Sequence, residues 1–264
     1  MKLYLSGLKS FHLDLGIEYT VFSDTRLERT IQGIKRDHNK PEHRVRTPLT
    51  RPALLQILSH LSAANYNHIV LHSALTLAFA GFLRVGEFTY RETDMQLGVS
   101  YSKWYLTKQS IRMAEDETYM ELTLPASKTD PFRKGVTLTI AAGSNIGCPV
   151  QAMKRLQTTN HHRSRASPLF CIGRYQQQAF TCEHVVKSLQ DLVITAGLEQ
   201  GAWNGHSFRR GAATWAAEMG IPEGDIQILG RWRSDACKVY IEYSRNDRIS
   251  LSKHFQHGLH TGLR

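Results

Sequence analysis

The chain has 264 residues, enough for one large domain or one domain plus a fragment. Lys and Arg number 33 against 23 Asp and Glu, and the resulting net charge of +10 favours nucleic acid or another polyanion as partner. Four cysteines without CxxC pairing (Cys148, Cys171, Cys182, Cys237) argue against a zinc site or disulfide scaffold, and no signal peptide, membrane span or repeat is evident, so a secreted or membrane-bound protein is not expected.

Leu3, Leu5, Leu8, Phe11 and Leu13, then Leu27, Ile31 and Ile34, set a helical pattern over Leu3–Lys35. The polar stretch from Arg36 to Thr47 reads as a linker. Thr50, with Pro52 behind it, opens a helix over Leu54–Leu61. The run Ala74–Phe88 reads as one apolar helix that ends abruptly in Arg84, Gly86 and Glu87, too short and interrupted for a membrane span. An arginine directly after a buried helix is costly unless paired or used. Glu87, three residues on, is placed to orient its guanidinium; a purely structural ion pair is the plainer reading. From Tyr119 to Ile140 apolar and polar residues alternate on both sides of a turn at Pro125–Gly135, which predicts a hairpin with Lys128, Arg133 and Lys134 at its basic tip. Most turn lysines are solvated and idle, but one beside a phosphate has a proton to give to a leaving oxygen. Further helices are predicted over Cys148–Gln157, with Pro149 in the first turn, and over Thr181–Ala196, stopped by Gly197. The pair His161–His162 lies in a polar loop and is expected to be exposed.

The stretch Gly205–Ser244 carries the most chemistry. Phe208, Ala212, Trp215 and Met219 predict a helix over Ser207–Met219, with Ser207 as N-cap and Gly220 and Pro222 as the stop. His206 and Arg209, three residues apart, share one face at its start, where free N–H groups and the helix dipole favour an anion. A short helix follows at Asp225–Leu229, ending at Gly230. Ser234 is placed to cap a third helix carrying Val239, Tyr240 and Tyr243. Two cationic donors and a phenol suit a phosphodiester, since the donors neutralise the phosphate and the phenol attacks it. A tyrosine on an amphipathic helix is more often half-buried core than nucleophile, so the joint pattern carries the reading.

Arg84 in GFLRVGEF, Lys128 in the hairpin, HSFR at His206–Arg209, and LGRW followed by Tyr240 together resemble the tyrosine recombinase (phage integrase) family. The match runs from about Arg46 to Ser250, and its form is most similar to the eukaryotic mobile-element branch of the DIRS and Crypton kind. The resemblance implies a mechanism. Tyr240 attacks the scissile phosphate of double-stranded DNA, forms a 3′-phosphotyrosyl link and frees a 5′-hydroxyl. Arg84 and Arg209 hold the non-bridging oxygens, Lys128 protonates the leaving 5′-oxygen and His206 assists proton transfer. Either Arg231 or Trp232 fills a sixth position, where the family usually has His or Trp. Glu87 is supporting, and Tyr243 is a rival nucleophile one helical turn from Tyr240. No cofactor and no metal are implied. Self-association as a tetramer on DNA is implied, as is a nuclear location if the source is eukaryotic and a cytoplasmic one otherwise.

The expected fold is mainly α with a small antiparallel β-sheet (α+β), the sheet lying between about Leu106 and Ile140. The expected division is a partial helical core-binding (SAM-like) domain at 1–40, resembling the last part of that domain in the family, a linker at 41–49 and a catalytic domain at 50–264. Two other readings stand beside strand exchange: a catalytically silent DNA-binding protein derived from a mobile element, and a helix-turn-helix DNA reader built on AAEMGIPEGDIQILGRW.

Overall fold

A computed structural model describes residues 2–37, 48–96, 101–125, 134–173, 178–199, 205–232 and 249. The chain forms two compact units, Met1–Val45 and Arg46–Arg264. In the first, helices α1 (Lys2–Asp14) and α2 (Thr25–Asp37) are joined through a 3₁₀ turn at Thr20–Ser23. Leu27, Ile31 and Ile34 are half-buried, whereas Leu8, Phe11 and Leu13 are exposed, and no described residue of this unit is fully buried. Two short helices enclose too little volume for a core of their own.

The second unit is mainly helical with a small antiparallel sheet, as the sequence pattern predicts. Its helices are α3 (Arg51–Ser59), α4 (Tyr66–Ala80), α5 (Val85–Phe88), α6 (Glu92–Gln96), α7 (Tyr101–Trp104), α8 (Pro149–Thr159), α9 (Cys182–Thr195), α10 (Ser207–Glu218) and α11 (Glu223–Gly230). Strands β1 (Ile111–Met113), β2 (Tyr119–Leu124) and β3 (Val136–Ala141) form one sheet with β2 central. A two-stranded pair, β4 (Cys171–Ile172) and β5 (Gln178–Ala179), lies between α8 and α9 in the chain. In the β2–β3 hairpin Met120 faces Ile140 and Leu122 faces Leu138, so alternate residues of β2 enter the core while Thr123 and Thr137 pair on the other face. The expected tip lysine, Lys128, lies outside the described residues.

Helix α4 is the axis of the core. Nearly every residue from Ile69 to Phe79 is buried, as expected for a helix apolar all round. It packs on α8 and α10. Ser73 Oγ, buried at that contact, lies 2.9 Å from both the Ile69 and the Ala152 carbonyl oxygens, tying α4 to α8. Thr50 caps α3 as expected, its side chain accepting from the Ala53 amide at 3.3 Å. Asn65 caps α4 in the same way.

The single helix expected over Ala74–Phe88 is corrected to two. Helix α4 ends at Ala80 in a Schellman turn: the Phe82 amide donates to the Phe79 carbonyl at 3.2 Å and the Leu83 amide to the Ala78 carbonyl at 2.8 Å. Phe82 takes a left-handed conformation (φ 50°) to close it. Apolar patterning hides this break because Phe82 and Leu83 remain buried. The same motif closes α1 at Gly16, α9 at Gly197, α10 at Gly220 and α11 at Arg231, with φ of 64°, 66°, 76° and 57°. Glycine is the usual residue there, so Phe82 and Arg231 are the two exceptions, and each carries a strain of roughly 1–2 kcal/mol.

Gly211 sets the docking of α10, because a Cβ there would fall on the Leu49 carbonyl oxygen, which is backbone and cannot yield. The Leu49 amide meanwhile donates to the Ser207 carbonyl at 3.0 Å. Gly211→Ala is expected to destabilise the protein by about 3 kcal/mol, lowering the melting temperature by roughly 6–12 °C at about 2–4 °C per kcal/mol. Gly224→Ala, in open space on α11, is the control and should hold or slightly raise it. Thermal denaturation of the two variants checks this.

Candidate active site

Two turns distant in sequence are brought edge to edge by one backbone bond. The Val85 amide donates to the Gly205 carbonyl at 3.2 Å. A Cβ on Gly205 would strike the Val85 side chain, so only glycine permits the approach. Arg84 precedes Val85 and His206 follows Gly205, so the two are placed together by their neighbours. The helix-start assignment shifts by one residue: His206, not Ser207, is the N-cap of α10, and Ser207 is its buried first residue. His206 is partly exposed and its cap position makes no side-chain capping bond.

Arg84 is the N-cap of α5 and its side chain is 29% exposed. Glu87, at the third position of that helix, reaches back. Its Oε2 accepts from the Arg84 backbone amide at 2.8 Å and its Oε1 from Arg84 Nη1 at 3.3 Å. The Glu87 side chain is only 6% exposed.

Arg209 is fully buried, the largest side chain among the described residues to be so. Its Nη1 donates to the Phe82 carbonyl at 3.2 Å and its Nη2 to the Gly230 carbonyl. The Trp232 ring lies against the guanidinium, its centroid 4.4 Å away, and the same ring meets Phe82 edge-on. Desolvated contacts of this kind are worth about 2 kcal/mol. Trp232 reaches this position because Gly230 has no side chain: a Cβ there would occupy the indole ring.

Arg231 turns another way. Its Nη2 donates to Glu87 Oε2 at 2.9 Å and its Nη1 to the Gly81 carbonyl at 3.0 Å. Burial pushes its pKa below the ordinary value, the Glu87 carboxylate raises it, and Arg84 lowers it again. An arginine nevertheless stays charged at neutral pH. The described residues therefore place three guanidiniums and one carboxylate around the α4–α5 turn and the end of α11, an excess of positive charge suited to an anion.

The structure thus gathers Arg84, Glu87, His206, Arg209, Arg231 and Trp232 from the sequence-derived set. Lys128, Tyr240 and Tyr243 lie outside the described residues. Sequence reasoning missed the carbonyls of Gly81, Phe82 and Gly230, which the arginines seize. Only the glycines flanking each arginine hinted that backbone comes close. The described cysteines, Cys148, Cys171 and Cys182, are free thiols. His161 and His162 are exposed, as expected.

This is the fold of the tyrosine recombinase catalytic domain. The XerH site-specific recombinase, solved in a post-cleavage complex with palindromic difH substrate, superposes with a TM-score of 0.59 at 13% identity, over 82% of this chain and 55% of that one. The XerA recombinase gives 0.53 at 15% identity over 98% of this chain and 75% of that one. The Tn1549 transposon integrase, solved with transposon right-end DNA, gives 0.52 at 13% identity over 96% and 85%. The chain therefore spans about half the length of the XerH chain it matches. No protein family and no curated protein sequence matches it.

Because Arg209 bonds two backbone carbonyls with one planar fork, it also holds the fold. Arg209→Lys keeps the charge but cannot reach both carbonyls, and it is expected to cost about 2–3 kcal/mol. Urea unfolding checks this; a midpoint equal to the parent's would remove Arg209 from the fold's supports.

Proposed function

We propose that the chain is a DNA strand-exchange enzyme, a site-specific recombinase or integrase acting through a 3′-phosphotyrosyl intermediate. The observation that carries this reading is the Val85–Gly205 bond, which joins the turn bearing Arg84 to the start of α10 bearing His206 and Arg209, within the tyrosine recombinase catalytic fold. The XerH recombinase and the Tn1549 integrase, both solved with DNA, supply the precedent.

In the proposed reaction the Tyr240 phenol oxygen bonds to the scissile phosphorus and the bond to the 5′-oxygen breaks. Lys128 gives that oxygen a proton, while His206 assists removal of the phenol proton. A 5′-hydroxyl from another strand then reverses the step, so the phosphodiester energy is conserved. Arg84 and Arg209 stabilise the charge that grows on the non-bridging oxygens, which is what raises the chemical rate. For Arg209 this requires Trp232 to lift from its guanidinium when DNA enters. The partner is double-stranded DNA, and assembly is as a tetramer on two sites. The form of the motifs favours the DIRS/Crypton-like branch of mobile elements, with a nuclear location in a eukaryotic source. Residues 1–40 act as a partial core-binding domain ahead of a catalytic domain at 50–264.

The complete burial of Arg209 favours a second reading, a DNA-binding protein in which the arginine is structural and no strand is cut. A helix-turn-helix reader gains less support. Helix α11 carries Glu223 and Asp225 in its first turn and no basic residue, and exposes Ile228 and Leu229, a poor surface for DNA phosphates.

The deciding experiment mixes the protein with nicked duplex DNA and runs a denaturing gel. A covalent adduct is expected, lost in Tyr240→Phe and kept in Tyr243→Phe. Excess chelator should leave it unchanged, since arginines and a lysine supply the charge a metal would bring. An adduct lost only in Tyr243→Phe would move the nucleophile. Binding without any adduct would establish the second reading. Affinity for duplex DNA should fall by about 10³-fold between about 50 and about 200 mM salt, through counterion release. A flat salt profile would exclude a DNA-backbone partner.

A further inference from the structure

Arg231 stands where a glycine closes three other described helices, in a left-handed conformation that costs an L-residue strain. Its side chain gains bonds to Gly81 and Glu87, residues lying three before and three after Arg84. One guanidinium thus spans both flanks of the Arg84 turn.

The carboxylate of Glu87 decides how free Arg84 is. A guanidinium beside a lone carboxylate pairs with it through two parallel bonds, consuming two donors and cancelling the charge. Here that does not happen. Glu87 Oε2 is already occupied by Arg231 Nη2 at 2.9 Å and by the Arg84 backbone amide at 2.8 Å. Arg84 is left one side-chain contact, Nη1 to Oε1, at the longer distance of 3.3 Å.

From this arrangement, and resting on the recombinase reading of the site, we propose that Arg231 is a positioning residue: it holds Glu87 so that Arg84 keeps its charge and its outward donors for the DNA phosphate. This differs from the direct phosphate contact that its place in the sequence suggests. Without Arg231, Glu87 swings into a two-bond pair with Arg84 and neutralises it. Removing the Glu87 charge as well releases Arg84 again.

The test uses Arg231→Gly, because glycine relieves the left-handed backbone and leaves the helix end intact while deleting the clamp. Single-turnover cleavage of nicked DNA at saturating protein is expected to slow by about 10–100-fold, the usual loss when a partner that orients an active-site ligand is removed. DNA affinity should change less than about twofold, because a single outward donor is a small part of the phosphate contacts. Glu87→Gln added to Arg231→Gly should then recover at least about tenfold of the lost rate, since glutamine cannot neutralise Arg84. A direct phosphate contact predicts no recovery, and a double variant as slow as Arg231→Gly overturns the proposal. So does an Arg231→Gly rate within about twofold of the parent. A second readout needs no cleavage. Inorganic phosphate is titrated into the full chain while the Arg84 side-chain N–H resonance is followed by NMR. The response should weaken in Arg231→Gly and return in the double variant. An unchanged response overturns the clamp, whereas a parent that makes no adduct yet shows this pattern overturns only the recombinase reading.

Discussion

One buried guanidinium anchors this structure. Arg209 has no exposed surface, and a charge so placed is tolerated only with close partners. It has the Phe82 carbonyl on one side, the Gly230 carbonyl on another and the Trp232 ring against it. Those partners belong to the turn after α4, the end of α11 and the second residue beyond it. The arginine comes from the first turn of α10, so a single planar group fixes three chain segments. The glycines make room for it: Gly211 lets α10 approach Leu49, and Gly230 lets the indole fold back.

Two of the three described non-glycine residues with left-handed backbone, Phe82 and Arg231, adjoin this anchor, and the third, Glu117, lies in the β1–β2 turn. Among the described residues five helices end in the same left-handed closure, yet only the two at the site use residues other than glycine, Phe82 and Arg231. At each the side chain has a task that glycine cannot perform. Phe82 supplies an edge for Trp232, and Arg231 supplies two bonds to the Arg84 turn. Strain collected at a site in this way is a mark of geometry selected for placement rather than for stability.

The electrostatics follow from the same packing. Glu87 is nearly buried between Arg84 and Arg231, and its carboxylate balances one of the three positive charges. The remaining excess lies beside the start of α10, where the positive end of the helix dipole adds to it. A low-dielectric wall behind these donors strengthens their pull on an anion at the surface. Such an arrangement explains why the site asks for arginines: their forks bond backbone and carboxylate on one edge while offering donors on the other.

Much of this was legible in the sequence. The mainly helical fold, the β2–β3 hairpin, the Thr50 and Thr181 helix starts and the glycine stops at Gly197 and Gly220 rest on local rules, namely periodicity, capping and turn chemistry, which act within a few residues. The candidate residues Arg84, Glu87, His206, Arg209, Arg231 and Trp232 were legible as short motifs, and the structure sets their chain segments side by side. What the sequence left open was the break after Ala80 and the partner of each arginine. The break hid because Phe82 and Leu83 keep the apolar pattern while the backbone reverses. The partners hid because they are carbonyl oxygens of Gly81, Phe82 and Gly230, and a carbonyl is present at every residue and marks none. Only packing decides which one lies within reach of a guanidinium. Motifs therefore marked the candidate side chains, while the close approach of α4, α10 and α11 decided that Arg209 is buried against carbonyls and an indole, that Arg231 and Arg84 share Glu87, and that Arg84 stays partly exposed.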